Sequence, residues 1–236
     1  MLIICWCAKS LRTNLPQPRA VLFDLDGTLA DSVKDLGEAL NRMLTDLGRP
    51  PIPYARYRHF GSDGANGMLR LGFAHEDEHQ RQARRTDYLR YYRQTGYQQT
   101  ALYAGVGSVL QFLQQAAIPW GIVTNKPRQL AVELTERLPA LQQCALLYGG
   151  DSFAVRKPDP LPLLAATESL ATAAQDCWYI GDAKRDMDAA NAAGMVSVLA
   201  QWGYFPPEAE PDAWQVQLRC PQPQALLQHL QENHKI

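Results

Sequence analysis

Ala20-Val21-Leu22-Phe23-Asp24-Leu25-Asp26-Gly27-Thr28-Leu29 is the stretch on which the fold turns. Four apolar residues in a row read as a strand buried on both faces, and the run breaks abruptly into two carboxylates and a glycine. Four similar runs follow at 120–124, 145–148, 177–180 and 196–200. From the second run onward, helical periods separate them. Val106, Val109, Leu110 and Leu113 precede that run, and 127–138, 160–170 and 184–193 follow, the last stopped by Gly194. Strands alternating with helices predict an α/β fold, a parallel sheet with helices on both faces. A final short helix is expected at 221–232.

About a third of the chain separates the first two strands, far more than one crossover helix needs. Val33, Leu36, Leu40, Met43, Leu44 and Leu47 form one apolar stripe, ended by Gly48 and Pro50-Pro51, and a charged, Tyr-rich helix covers 76–94. The surplus predicts an inserted helical cap at 33–100, hinged near 29–32 and 100–105. It leaves 20–32 and 101–236 as the core. Residues 1–8 are apolar but lack a preceding basic segment and are too short to span a membrane. With the Pro16- and Pro18-containing stretch after them, 1–19 is expected to be a poorly ordered extension.

Composition narrows the partners. Lys and Arg number 23 against 24 Asp and Glu in 236 residues, a net charge of −1 that argues against a protein built to bind nucleic acid or anionic membrane. The Arg- and Tyr-rich stretch 81–93 is diluted by Glu76, Asp77, Glu78 and Asp87, and the spacing of Tyr88, Tyr91 and Tyr92 reads as cap packing. Five cysteines, an odd number, read as reduced thiols of a cytoplasmic protein. The five His residues form no ligand cluster and read as surface residues. The expected partner is a small molecule, and the oligomeric state is left open.

Ligands of open parallel sheets bind beyond the carboxyl ends of the strands, so the polar residues ending the apolar runs carry the chemistry. The first run ends in Asp24 and Asp26, the second in Thr124-Asn125-Lys126, and the fourth in Gly181-Asp182 with Asp186 one turn on. Arg156-Lys157-Pro158 lies between the third and fourth. Convergent carboxylates repel unless a cation sits among them, and an all-oxygen set beside phosphate suits Mg²⁺. Lys157 and Thr124 then supply a charge and a donor for phosphate oxygens. Gly27 and Gly181 admit close backbone approach. Lys184 and Arg185 read as solvated helix charges, and Asp159 as a turn residue between prolines.

These motifs, in this order and spacing, resemble the haloacid dehalogenase superfamily of phosphotransferases, from about residue 20 to the C-terminus. The resemblance implies a Rossmann-like core with a helical cap and a Mg²⁺-dependent phosphatase acting on a small phosphate monoester. It implies Asp24 as the nucleophile that forms an aspartyl-phosphate and Asp26 as the acid and base. Mg²⁺ would be held by Asp24, Asp182 and the Asp26 carbonyl, with Asp186 acting through water or by orienting Lys157. Thr124, the Asn125 amide and Lys157 would hold the phosphoryl group. The second aspartate, Asp26, separates this pattern from the alkyl-halide dehalogenases of the superfamily.

For specificity, the loop Ser62-Asp63-Gly64-Ala65 resembles a cap loop of bacterial phosphoglycolate phosphatases, and Lys157-Pro158-Asp159-Pro160 is similar to their pattern. The loop Trp202-Gly203-Tyr204 with Trp214 is more similar to the N-acetylmuramic acid 6-phosphate phosphatases of cell-wall recycling, and a sugar phosphomutase is a further alternative. Ala104, where a Pro usually stands, and Arg156 depart from both patterns.

Overall fold

A computed structural model describes residues 15–234, so most of the extension expected at 1–19, with Cys5 and Cys7, lies outside the described residues. The main sheet has six strands: β1 (Ala20–Phe23), β4 (Trp120–Val123), β5 (Leu146–Tyr148), β6 (Cys177–Gly181), β7 (Val196–Ala200) and β8 (Leu218–Cys220). Their order is β5-β4-β1-β6-β7-β8, and every neighbouring pair is parallel. Val21, Phe23, Trp178 and Ile180 pack into the larger core on one face, while Ala20, Leu22, Cys177 and Tyr179 pack into the smaller core on the other. Burial on both faces is why these runs are continuously apolar.

Five helices belong to this core: α5 (Val106–Gln115), α6 (Arg128–Arg137), α7 (Leu161–Ser169), α8 (Lys184–Ala192) and α9 (Pro223–Asn233). The last starts later than 221, because Pro223 sits in the first turn with Gln222 before it, where a missing N–H costs nothing. The sequence places no strand at β8; three residues pairing only with β7 are too short to show a period.

Two short strands, β2 (Ala30–Asp31) and β3 (Ala101–Leu102), pair antiparallel as a ribbon. Between them run α1 (Val33–Asp46), α2 (Tyr54–Tyr57), α3 (Gly64–Gly72) and α4 (Glu78–Gln94), the helices of the segment expected to form a cap. The stripe on α1 is buried as far as Leu44, but Leu47 lies beyond the helix end and is half exposed. Helix α4 begins at Glu78 and not at 76. The Asp77 carboxylate accepts the Gln80 N–H (2.8 Å) and the Gln80 side chain accepts the Asp77 N–H (2.9 Å), a reciprocal cap that leaves Glu76 outside to bind Arg84. Where the chain returns towards β3, buried Asp35 in the first turn of α1 accepts from the Gln99 N–H (3.0 Å) and the Thr100 hydroxyl (2.7 Å). No helix among the described residues is long and apolar enough to cross a membrane.

Candidate active site

Strand β1 runs between β4 and β6, with Phe23 level with Ile122 and Ile180. Asp24 directly follows the end of β1, Thr124 directly follows the end of β4, and Asp182 comes just past Gly181 at the end of β6, so all three stand at the carboxyl edge. All three are buried, as are Asp26, Lys157 and Asp186.

Asp24 donates its backbone N–H to the Ile180 carbonyl (2.9 Å), while its Oδ1 accepts the Leu25 N–H (2.8 Å) and lies 3.1 Å from Lys157 Nζ. Burial alone raises its pKa, but Lys157, Arg185, the Thr124 hydroxyl and the Leu25 N–H outweigh that and hold the carboxyl below the usual range. The loop after it turns at Gly27, whose φ of +85° and position against Asp182 leave no room for a Cβ.

Lys157 Nζ also lies 2.8 Å from Asp186 Oδ1 and donates to the Tyr179 hydroxyl (2.6 Å), which in turn donates to the Val123 carbonyl (2.8 Å). Burial and the Asp186 and Asp24 charges push the Tyr179 phenol well above its ordinary value, so it stays a donor. Asn125 donates through its side chain to the Lys157 carbonyl (2.9 Å), tying the two loops together.

Asp24, Asp182 and Asp186 each offer a carboxylate oxygen within 4.8 Å of the others. Burial, then Asp186 and Asp24, raise the Asp182 pKa to about 7. Lys157 offsets part of the repulsion among these three buried carboxylates, and the all-oxygen donor set that remains fits a hard divalent cation.

From sequence, Lys126 stands at the end of the second run without an assigned role, and Ser32 is not among the expected site residues. Lys126 is buried, with Nζ 3.2 Å from both Asp26 oxygens and 2.9 Å from the Tyr92 hydroxyl on α4. Ser32 donates to the same Asp26 carboxylate. Tyr92 therefore does more than pack, because its hydroxyl joins the cap to Asp26 through Lys126. The second correction is Arg185. Its side chain is only 19% exposed, and it donates to Asp63 (2.8 Å) and to the Ser62 carbonyl, where a solvated charge was expected. The position after a strand end is a legible signal for Lys126, whereas the partners of Arg185 come from a loop 122 residues away. Lys184 behaves as expected, exposed and paired with Asp188. Asp159 accepts the Leu161 N–H at a turn.

Ser62, Asp63, Gly64 and Ala65 line a cleft of about 310 Å³ together with Asp24, Asp26, Thr124, Asn125 and Lys157. Gly64 and Ala65 already belong to α3, and Ser62 lies 2.5 Å from Asp182 Oδ2 and 2.9 Å from the Tyr204 carbonyl. Trp202, Tyr204 and Trp214 do not line the cleft. Instead Tyr204 gives its N–H to Asp182 (2.9 Å) and its hydroxyl to Asp31 (2.6 Å), and Trp202 donates to the Thr28 carbonyl (3.0 Å), bracing the site from behind.

A family model described as haloacid dehalogenase-like hydrolase matches residues 21–200. A phosphoglycolate phosphatase of Xanthomonas campestris pv. campestris is 47% identical over 209 residues, 89% of this chain and 95% of the relative. An N-acetylmuramic acid 6-phosphate phosphatase of Pseudomonas putida is 32% identical, over 83% of this chain and 88% of the relative. Among solved structures, a haloacid dehalogenase-like hydrolase from Streptococcus pneumoniae aligns with a TM-score of 0.76 at 24% identity, over 90% of this chain and 98% of that one. At that identity the likeness speaks for the fold.

Proposed function

The chain belongs to the haloacid dehalogenase-like hydrolase family and is a phosphatase, and we propose that it hydrolyses 2-phosphoglycolate with Mg²⁺ through an aspartyl-phosphate. The observation that carries the chemistry is Asp24: a buried carboxylate kept ionised beside Lys157, at the floor of a cleft, with a second carboxyl two residues on. The similarity to phosphoglycolate phosphatases supports the substrate.

In this reading an Asp24 oxygen attacks phosphorus and the bond to the ester oxygen breaks. Asp26 gives its proton to that oxygen, releasing glycolate. A water then attacks the aspartyl-phosphate, Asp26 takes the water's proton, and phosphate leaves with Asp24 restored. Ser32 and Lys126 fix the Asp26 carboxyl, and the Lys126 ammonium is the counter-charge to the carboxylate left once the proton has gone. Thr124, the Asn125 amide and Lys157 hold the phosphoryl oxygens. Mg²⁺, held by Asp24, Asp182, Asp186 and the Asp26 carbonyl, would supply positive charge against the phosphoryl oxygens. We assign 33–100 as the cap and 20–32 with 101–236 as the catalytic core, with the loop 62–65 closing the cleft. Free thiols at Cys144, Cys177 and Cys220 are consistent with the proposed cytoplasmic setting.

The small cleft, and the absence of Trp202, Tyr204 and Trp214 from its lining, favour a compact substrate over an amino sugar. The test is kcat/KM with Mg²⁺ for 2-phosphoglycolate and N-acetylmuramic acid 6-phosphate side by side. A preference of about a hundredfold for the former, roughly 2.7 kcal/mol, is expected. The reverse preference would assign the protein to the amino sugar, and activity dependent on a sugar bisphosphate would mark a phosphomutase.

A further inference from the structure

Six cationic side chains line the cleft: Arg70, Arg85, Lys126, Arg156, Lys157 and Arg185. Four of them are neutralised within the protein. Arg70 and Arg185 share Asp63, Lys126 binds Asp26, and Lys157 sits between Asp24 and Asp186. Arg85, on α4 of the cap, and Arg156, next to Lys157 in the core, have no acidic partner among the described residues. The acid nearest in effect, Asp151, forms no ion pair with either and accepts the Arg128 N–H through Oδ1 (2.7 Å). Half-buried Arg85 is held below its ordinary pKa by desolvation first and by Arg156 second, so the two guanidiniums feel each other. Two like charges lining one cleft repel, and an anion bound between them relieves that.

We propose that Arg85 and Arg156 form a second anion subsite, which takes the carboxylate of the substrate while Thr124 and Lys157 take its phosphoryl group. Guanidinium groups suit this task because their planar forks match a carboxylate with two parallel hydrogen bonds. Because one arginine comes from the cap and the other from the core, a phosphorylated hydroxy acid draws the two together, whereas an ester without a carboxylate does not. The subsite rests on the 2-phosphoglycolate reading above and adds the residues that select for its acid end.

The experiment compares kcat/KM for 2-phosphoglycolate with that for 2-hydroxyethyl phosphate, the same ester with an alcohol in place of the acid. The ratio of the two is measured with Mg²⁺ in the wild type, Arg85→Gln, Arg156→Gln, the double variant and Arg85→Lys. Each Gln substitution should lower the ratio about tenfold and the double variant about a hundredfold, with Arg85→Lys between wild type and Gln. An unchanged ratio in a wild-type background that prefers 2-phosphoglycolate overturns the subsite alone. Equal losses on both esters also overturn it, because the arginines would then be serving the phosphoryl group. A wild type that does not hydrolyse 2-phosphoglycolate overturns the substrate reading and the subsite with it.

Discussion

Lys126 is the residue that most changes how Asp26 is understood. Its ammonium touches both Asp26 oxygens and a cap tyrosine, so the acid is not an isolated side chain but the middle of a buried chain of contacts. In the proposed mechanism Lys126→Met leaves Asp26 with Ser32 alone, and kcat/KM for 2-phosphoglycolate should fall by about 10- to 100-fold. Loss on p-nitrophenyl phosphate should be several-fold smaller, because nitrophenolate departs without a proton; equal losses on both esters would refute the assignment. Residues such as Asp24, Asp26, Thr124 and Asp182 are legible in the sequence because an abrupt apolar-to-polar break marks a strand end. Arg185 is not legible in that way. Its local pattern is that of any charge in a first helical turn, and its burial is imposed by Ser62 and Asp63 arriving from the cap.

At the level of elements, apolar runs and periodicity find five of the six strands of the main sheet and most of its helices, since each buries one face or two against a neighbour. It fails where no face is long enough to repeat: β8, and the two-residue strands β2 and β3. Helix α4 is harder for another reason, as charged residues surround it, Tyr88 and Tyr92 alone are buried, and the Asp77–Gln80 cap marks its start. The junction of cap and core hangs on Asp35, whose single carboxylate oxygen serves both Gln99 and Thr100. Asp35→Ala strands both donors in a part-buried site and removes a carboxylate from the positive end of α1. A loss of about 1–3 kcal/mol in urea unfolding is expected; a change under about 0.5 kcal/mol would mean the hinge is held elsewhere.

For the whole molecule, the acidic cluster sets how stability responds to pH and metal. Asp182 is raised from 3.8 to about 7 by burial, Asp186 and Asp24, so between those values the folded metal-free protein holds a proton the unfolded chain has lost. Stability therefore falls as pH rises through that window, by up to about 1.4 kcal/mol per unit, and the full cost is present above about pH 7. A divalent cation must displace that proton at low pH but relieves the repulsion at high pH. The gain in Tm on adding Mg²⁺ should accordingly be larger at pH 8 than at pH 5.5, as read by thermal unfolding with and without a chelator. An equal or smaller gain at pH 8 would show that the cluster is not where the ion binds.

The ribbon of β2 and β3 has a consequence for how such a protein changes over time. The chain leaves the sheet and returns to it through two neighbouring strands, so everything between them is attached at one point like a graft on a stem. Replacing that insert with another of different length or shape leaves the strand order intact, while Lys126 and Arg185 lose the Tyr92, Ser62 and Asp63 they touch. An insert hung on one ribbon can thus be lengthened or reshaped without re-threading the sheet that carries it.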